Sequence, residues 1–283
     1  MKLLVTGADG QVGRCLVEAG QARGVSVVAL GRAGLDITVP ESIIAATRAE
    51  VPDLIINAAA YTAVDKAESE PGIAHNINAI GAGNVAHVAH QYGVPVIHIS
   101  TDYVFDGCKA SAYLETDATE PLNVYGRSKL EGERMVAAAA KRHLIVRTAW
   151  VHSPFGSNFV KTMLRLSATR PQLGVVDDQY GTPTYAPHLA AAILDVALRI
   201  RGAGSRFDGW GIYHACGSGE TTWCGLAREV FDVSARLSGP FAGVRPGPAS
   251  ACATPARRRA GSRRSCARLE SGFGRSVPGW RVS

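Results

Sequence analysis

The sequence predicts an α/β protein in which a doubly wound parallel sheet is followed by a smaller α/β region, and three observations predict it. Short β-like runs alternate with helical stretches through the first 150 residues, the rhythm of a parallel sheet covered on both faces. The first run, Lys2-Leu3-Leu4-Val5-Thr6, passes directly into the glycine turn Gly7-Ala8-Asp9-Gly10-Gln11-Val12-Gly13 and then into a helical stretch. That order of strand, glycine turn and helix is the Rossmann-like setting in which such glycines bind a dinucleotide. Finally, 283 residues suit one large domain or a dinucleotide domain with a smaller partner.

Taken in order, strands are expected near 2–6, 25–30, 53–57, 94–100 and 144–149, with helices near 11–23, 40–50, 64–91 and 126–142. In the glycine turn, one glycine serves the tight bend, one a close approach of backbone to pyrophosphate, and one the packing of helix on strand. The helix that follows offers its first amides to the phosphates. The run from Asp53 to Asn57 reads as a buried strand, and Ala58-Ala59-Ala60 after it leaves room for a cofactor against the backbone. The singled-out positions at 7–13, 57–61, 100–102 and 125–129 all fall at strand ends or on the helix just beyond, where ligands of open α/β sheets bind.

After Trp150 the texture changes. Helices are expected near 157–170, 185–201 and 222–236, strands near 173–177 and 211–215, with a polar loop at 177–184. No second glycine loop occurs there, so 1–150 reads as the cofactor domain and 151–244 as the substrate region, some segments of which return to the first domain. Adjacent Asp177 and Asp178 diverge in a strand or turn, so they read as a solvated loop rather than a metal site.

The net charge of +6 is concentrated at the C-terminus. Residues 245–283 carry nine arginines against the single acid Glu270, which leaves the body slightly acidic. This segment reads as irregular, and without interleaved aromatics or a binding module its arginines do not predict a nucleic-acid partner. Six cysteines lack CxxC spacing, which argues against zinc and against a disulfide framework. No stretch approaches the roughly 20 apolar residues of a membrane span, and no leader precedes the first strand, so the cytoplasm is the expected compartment.

Chemistry enters with Tyr125-Gly126-Arg127-Ser128-Lys129 and the upstream Ser100-Thr101-Asp102. On a helix, Tyr125 and Lys129 lie four apart on one face, so the ammonium lies beside the phenol. A phenol ionises near pH 10, and bringing it to about 7 takes about 4 kcal/mol of preferential stabilisation of the phenolate. A fixed ammonium and a buried cofactor cation are the expected source.

Longer strings narrow the reading. Asn57-Ala-Ala-Ala-Tyr-Thr-Ala-Val-Asp-Lys-Ala-Glu-Ser-Glu70, Ser100-Thr-Asp-Tyr-Val-Phe-Asp-Gly107, Pro121-Leu-Asn-Val-Tyr-Gly-Arg-Ser-Lys-Leu-Glu-Gly-Glu133, Arg147-Thr-Ala-Trp-Val151 and Asp178-Gln-Tyr-Gly-Thr-Pro-Thr184 resemble the extended short-chain dehydrogenase/reductase superfamily and, within it, the dTDP-4-dehydrorhamnose reductase family. The resemblance implies reduction of the C4 ketone of dTDP-4-dehydro-L-rhamnose, a nucleotide sugar, with Tyr125 as proton donor. It implies that Thr101 hydrogen-bonds the carbonyl oxygen and that Lys129 holds the nicotinamide ribose and lowers the tyrosine pKa. Cofactor contacts carried over are Gly7, Gly10, Gln11, Val12 and Gly13 at the phosphates, Asp36 and Ile37 near the adenine, and Ala59, Ala60, Tyr61 and Ile99 along the crevice. Asp102 and Trp150 face the sugar, or else serve as a turn cap and a core aromatic. Arg32, where NAD sites place an acid, either meets a 2′-phosphate or is an exposed turn residue. The cofactor expected is NADPH, with NADH tolerated.

Two features depart from the family pattern. Arg14-Cys15 stands where some members carry a carboxylate for a magnesium shared across a dimer, so no metal is expected, although a homodimer is possible. The tail reads Pro255-Ala-Arg-Arg-Arg-Ala-Gly-Ser-Arg-Arg264 in place of the family's Pro-Ala-x-Arg-Pro string. An epimerase or dehydratase with tightly held NAD, or a non-catalytic cofactor-binding subunit, shares the same fold-level motifs.

Overall fold

The computed structural model describes residues 1–170 and 172–237, together with the backbone of Arg245–Pro248. In chain order the first half comprises β1 (Lys2–Thr6), α1 (Gln11–Ala22), β2 (Ser26–Leu30), α2 (Pro40–Glu50), β3 (Leu54–Asn57), α3 (Val64–Ala67), α4 (Pro71–His75), α5 (Ala82–Gln91), β4 (Val96–Thr101), α6 (Val124–Ala139) and β5 (His143–Thr148). The second half comprises β6 (Val151–His152), α7 (Phe159–Ser167), β7 (Gln172–Val175), β8 (Tyr180–Gly181), β9 (Thr184–Tyr185), α8 (Ala186–Ala203), β10 (Gly211–His214), β11 (Thr221–Thr222), α9 (Trp223–Arg236) and β12 (Arg245–Pro248).

The main sheet has six strands in the order β10-β5-β4-β3-β1-β2, all parallel. Successive side chains of a strand point to opposite faces, and the sequence is apolar on both. Leu3, Val5, Leu54, Ile56, Ile97 and Val146 pack one way, against Leu16 of α1 and Leu189, Ile193 and Leu194 of α8. Leu4, Ile55, Val96 and Ile145 pack the other way, against Ile43 of α2, Val85 and Val88 of α5 and Val136 of α6. At the carboxyl end of this second face the alternation continues into polar residues: Thr6, Asn57, His98, Ser100 and Arg147, all buried. Both α8 and β10 belong to the second half of the chain, yet they complete the first sheet. A separate small core unites Met163, Leu173, Val175, Cys224, Ala227 and Phe231.

Three segments differ from the sequence expectation, one of them the polar loop expected over 177–184, which contains β8 and the start of β9. The single helix expected over 64–91 is broken into α3, α4, a π-helical segment Asn76–Gly81 and α5. Pro71 opens α4 at a first-turn position, where its missing amide costs nothing but prevents α3 from running through. Within the π-helical segment, a Cβ on Gly81 would lie 2.8 Å from the Ile37 side chain, so only glycine fits there. In the tail, where irregular chain is expected, Arg245–Pro248 forms a strand paired in parallel with β7. Two prolines are tolerated because, among the described residues, the strand has a single neighbour. The expectations for 249–283, including the arginine run, lie outside the described residues. Among the described residues, no helix is long and apolar enough to cross a membrane, and no cluster of three or more His, Cys, Asp or Glu side chains could hold a metal ion.

Candidate active site

The strand order reverses at β1: the chain steps from β1 out to β2 and then to the opposite side for β3. A crevice at the carboxyl ends of β1 and β3 is the ligand position such sheets provide. Backbone crowding shapes it. Gly7 has φ +75°, and a Cβ there would lie 2.7 Å from the Ala59 amide nitrogen and 2.8 Å from the Ala58 carbonyl. A Cβ on Gly13 would lie 2.3 Å from the Gly7 carbonyl oxygen. Gly10 caps α1 without any side-chain hydrogen bond, leaving the first-turn amides to be met by something other than protein side chains. Glycine-lined backbone and an uncapped helix N-terminus fit a dinucleotide pyrophosphate. Gly13→Ala is expected to cost about 1–3 kcal/mol of cofactor binding, roughly a 5- to 150-fold rise in Kd, measured by fluorescence titration with NADPH.

The other predicted cofactor residues divide by geometry. Gln11 turns its side chain away from the turn: Nε2 donates to the Val151 carbonyl at 3.3 Å, while Oε1 accepts from Ser153 Oγ at 2.9 Å and Asn158 Nδ2 at 3.0 Å. It thus ties the glycine turn to the second lobe, and only its backbone is available to a phosphate. Val12 packs against the core beneath. Arg32 is largely exposed, and its Nε donates to Asp36 Oδ2 at 3.2 Å. Asp36 also accepts from the Thr38 amide and hydroxyl, and these bonds, then Arg32, hold its carboxyl below the ordinary range. The side chain of Ile37 is in the core between α2 and α5, with its carbonyl taking a hydrogen bond from Asn84, so it does not line the crevice. Ala59 donates its amide to Thr6 Oγ1 at 3.3 Å, and Ala60 follows, partly exposed, in the same loop. Tyr61 is held through its amide by Asn78 Oδ1 at 2.8 Å and through its hydroxyl by Glu70 at 2.7 Å.

Tyr125 and Lys129 lie on the first two turns of α6. Asn123 caps the helix, its Oδ1 accepting from the Gly126 amide at 2.7 Å. Tyr125 is 9% exposed and meets Tyr103 edge to face at 5.5 Å, beside Tyr61. The Thr101 hydroxyl hydrogen-bonds the phenol, accepts from the Tyr103 amide at 3.2 Å and donates to Asp102 Oδ1 at 3.1 Å. Lys129, 1% exposed, donates from Nζ to the Ile99 carbonyl at 2.7 Å and contacts His98 Nε2 at 3.3 Å. Ile99 therefore serves this site through its backbone.

The protein's own groups push the phenol well above its ordinary value. Burial is the main cause, with Asp102 and Tyr103 adding to it and the Thr101 hydrogen bond opposing. The ammonium that should lower it is directed at the Ile99 carbonyl instead, and burial lowers Lys129 itself to about 8 against a smaller opposing effect from Glu133. The tyrosine is thus held protonated, the state a proton donor requires.

Trp150 stands two residues beyond the end of β5. Its φ of +47° is one of only two positive values at non-glycine residues among those described. That strain, of order 1–3 kcal/mol, persists because the indole is clamped. It stacks on Trp223 at 3.5 Å and 11°, and a Cβ on Gly181 would lie 2.3 Å from it. Trp150 is partly exposed and packs against buried Ala149 and Cys216.

Several residues went unnoticed in the sequence. Asn78 bridges Tyr61 and Ser128, but the π-helical segment that aims it inward leaves no periodic trace. His98 stands out in retrospect as a titratable residue inside the apolar run Val96-Ile97-His98-Ile99. Trp223 carries no local signal for its stacking role.

A reversing parallel sheet with a glycine turn at β1 and a buried tyrosine and lysine beside a threonine hydroxyl defines a dinucleotide-dependent oxidoreductase of the short-chain type. Comparison with known proteins narrows this. The family model for the RmlD substrate binding domain matches residues 1–283. A dTDP-4-dehydrorhamnose reductase of Sinorhizobium fredii (strain NBRC 101917 / NGR234) is 47% identical over 284 residues, covering 100% of this chain and 95% of its own. Among solved structures, a dTDP-4-dehydrorhamnose reductase ortholog of Clostridium acetobutylicum superposes with a TM-score of 0.82 at 38% identity, covering 94% of this chain and 90% of that one. The Bacillus anthracis dTDP-4-dehydrorhamnose reductase in complex with NADP superposes with a TM-score of 0.79 at 36% identity, covering 87% and 83%. The chain belongs to the dTDP-4-dehydrorhamnose reductase family.

Proposed function

We propose that this protein reduces the C4 ketone of dTDP-4-dehydro-L-rhamnose to the alcohol of dTDP-L-rhamnose, using NADPH. The observation that carries the reading is a buried, protonated Tyr125 hydrogen-bonded to Thr101, on the helix that also holds Lys129, in a chain 47% identical to a named reductase. The cofactor, when bound, supplies hydride to the carbonyl carbon. Tyr125 gives its proton to the carbonyl oxygen as negative charge develops there. Thr101 donates a second hydrogen bond to that oxygen, and its present bond to Asp102 Oδ1 shows that the hydroxyl has a donor to redirect. Lys129 holds the ribose of the cofactor. Trp150 and Asp102 face the sugar. The cofactor lies along Gly7, Gly10, Gln11, Val12, Gly13, Ala59, Ala60, Tyr61 and Ile99, and Asp36 and the backbone of Ile37 flank the adenosine.

Arg32 is the proposed contact for the 2′-phosphate: its guanidinium is exposed and its one short partner, Asp36, lies on its own loop. Arg32→Ala is expected to raise KM for NADPH about tenfold while leaving KM for NADH nearly unchanged, since only NADPH carries that charge. An unchanged NADPH preference would exclude the role. We further assign the protein to the cytoplasm, with residues 1–150 as the cofactor domain and 151–244 as the substrate region, with no role for nucleic acid, and with a homodimer compatible with the family. The reading is tested by mixing the protein with NADPH and dTDP-4-dehydro-L-rhamnose. Equimolar loss of NADPH absorbance and gain of dTDP-L-rhamnose supports it, whereas product formed with no cofactor consumed points to an epimerase-type cycle.

A further inference from the structure

Beneath the crevice a row of polar side chains crosses the sheet. Thr6 of β1, Asn57 of β3 and His98 of β4 are register partners on adjacent parallel strands. All three share the face covered by α6, and with Lys129 each is at most 1% exposed. Thr6 Oγ1 lies 2.7 Å from Asn57 Oδ1, Asn57 Nδ2 lies 3.1 Å from His98 Nδ1, and His98 Nε2 lies 3.3 Å from Lys129 Nζ. Thr6 also accepts from the Ala59 amide, so the row joins the cofactor loop to the lysine. A buried polar chain of this kind persists only when every member is satisfied.

Its hydrogens admit two arrangements. With the Thr6 hydroxyl donating to Asn57 Oδ1 and Asn57 Nδ2 donating to His98 Nδ1, the ring proton sits on Nε2 and faces the nitrogen of Lys129, which matches an unprotonated amine. If the Asn57 amide turns half round, its oxygen accepts from Nδ1–H, leaving the Nε2 lone pair to accept from an ammonium. We propose that Thr6, Asn57 and His98 form a switchable hydrogen-bond chain that positions Lys129 and couples its protonation to the orientation of the Asn57 amide. His98 and Asn57 are thus positioning residues, acting on the reaction only through Lys129. The proposal rests on the reading of Lys129 as part of a carbonyl-reducing site.

The surrounding charges are few. Burial and the nearby Lys129 charge keep the His98 ring neutral, so it responds by tautomer and not by gaining charge. From α6, Tyr125 and Glu133 flank Lys129. Glu133 is paired with Arg147 of β5 and accepts from Ser100 of β4, and His214 of β10 with Glu115 lies beyond that pair. Lys129 at about 8 places the switch within reach of ordinary assay conditions.

The direct test needs no substrate. With histidine ring nitrogens labelled with 15N in the full-length wild-type protein, and His98 assigned by its loss in His98→Gln, the ring shifts are followed from about pH 6 to about pH 10. The expected result is a neutral ring whose protonated nitrogen changes from Nδ1 to Nε2 across the range. A single tautomer throughout would overturn the proposal, whatever the substrate proves to be. Steady-state profiles give the second arm. Asn57→Asp offers acceptors to both neighbours and is expected to move the alkaline limb of kcat up by about one pH unit, while His98→Leu removes the acceptor and moves it down by a similar amount. A merely structural role would lower Tm in both variants and leave both limbs in place. If either variant fails to fold, the wild-type tautomer measurement still decides.

Discussion

Tyr125→Phe is expected to lower kcat by about 10²–10⁴-fold while leaving the affinity for cofactor within about twofold of wild type. The substitution keeps the ring that packs against Tyr103 edge to face and removes only the hydroxyl. Nothing else nearby can take over. Thr101 lies within hydrogen-bond reach, but an alcohol is a far weaker acid than a phenol, and its oxygen already accepts from the Tyr103 amide. Lys129 is directed at the Ile99 carbonyl. Because burial holds the phenol protonated, the wild-type activity should show no acid-side loss from this group, and the alkaline loss should follow Lys129, which titrates at about 8. Single-turnover kinetics with a separate cofactor titration distinguish loss of the proton from loss of the site. Full activity in the variant would remove Tyr125 from its role.

Glu133→Ala is expected to destabilise the fold by about 3–5 kcal/mol. Glu133 and Arg147 are 2% and 3% exposed as side chains and joined by two hydrogen bonds, Nε to Oε1 at 2.9 Å and Nη2 to Oε2 at 2.7 Å. Ser100 donates to the same carboxylate at 2.6 Å, and the guanidinium lies 5.0 Å over the Phe105 ring. Removing the acid strands a buried cation whose Nη1 already lacks a partner, so the cost is that of an uncompensated charge. Chemical denaturation measures it. The double variant Glu133→Leu, Arg147→Met should recover much of the lost stability, since an apolar pair of similar volume strands no charge. It should not recover activity, because Glu133 lies one turn beyond Lys129 on α6 and Arg147 of β5 is the register partner of Ser100, the residue before Thr101.

Much of this arrangement was legible in the sequence for identifiable reasons. Strand ends declare themselves by composition, so the sequence alone brings Gly7–Gly13, Asn57–Tyr61 and Ser100–Asp102 together on one crevice. The spacing of Tyr125 and Lys129 needs only a helix to become a site. What stayed hidden depends on tertiary context. Gln11 looks like a phosphate-side residue, yet its amide group is spent on Val151, Ser153 and Asn158, partners about 140 residues away in sequence. Ile37 follows Asp36 in a loop and still turns into the core, because α2 and α5 leave an apolar gap there. The aim of the ammonium is hidden for a similar reason. Spacing puts Lys129 beside Tyr125, but the carbonyl of Ile99, contributed by β4, decides where the ammonium points.

The central claim is that this site transfers hydride to a nucleotide-linked 4-keto sugar while Tyr125 supplies the proton. The most direct test is reduction of dTDP-4-dehydro-L-rhamnose with NADPH carrying deuterium at the transferable C4 position, followed by mass spectrometry and NMR of the sugar. One deuterium at C4 of dTDP-L-rhamnose for each cofactor oxidised is the predicted result. A sugar product without deuterium, or cofactor left unoxidised at the end of turnover, would contradict the account.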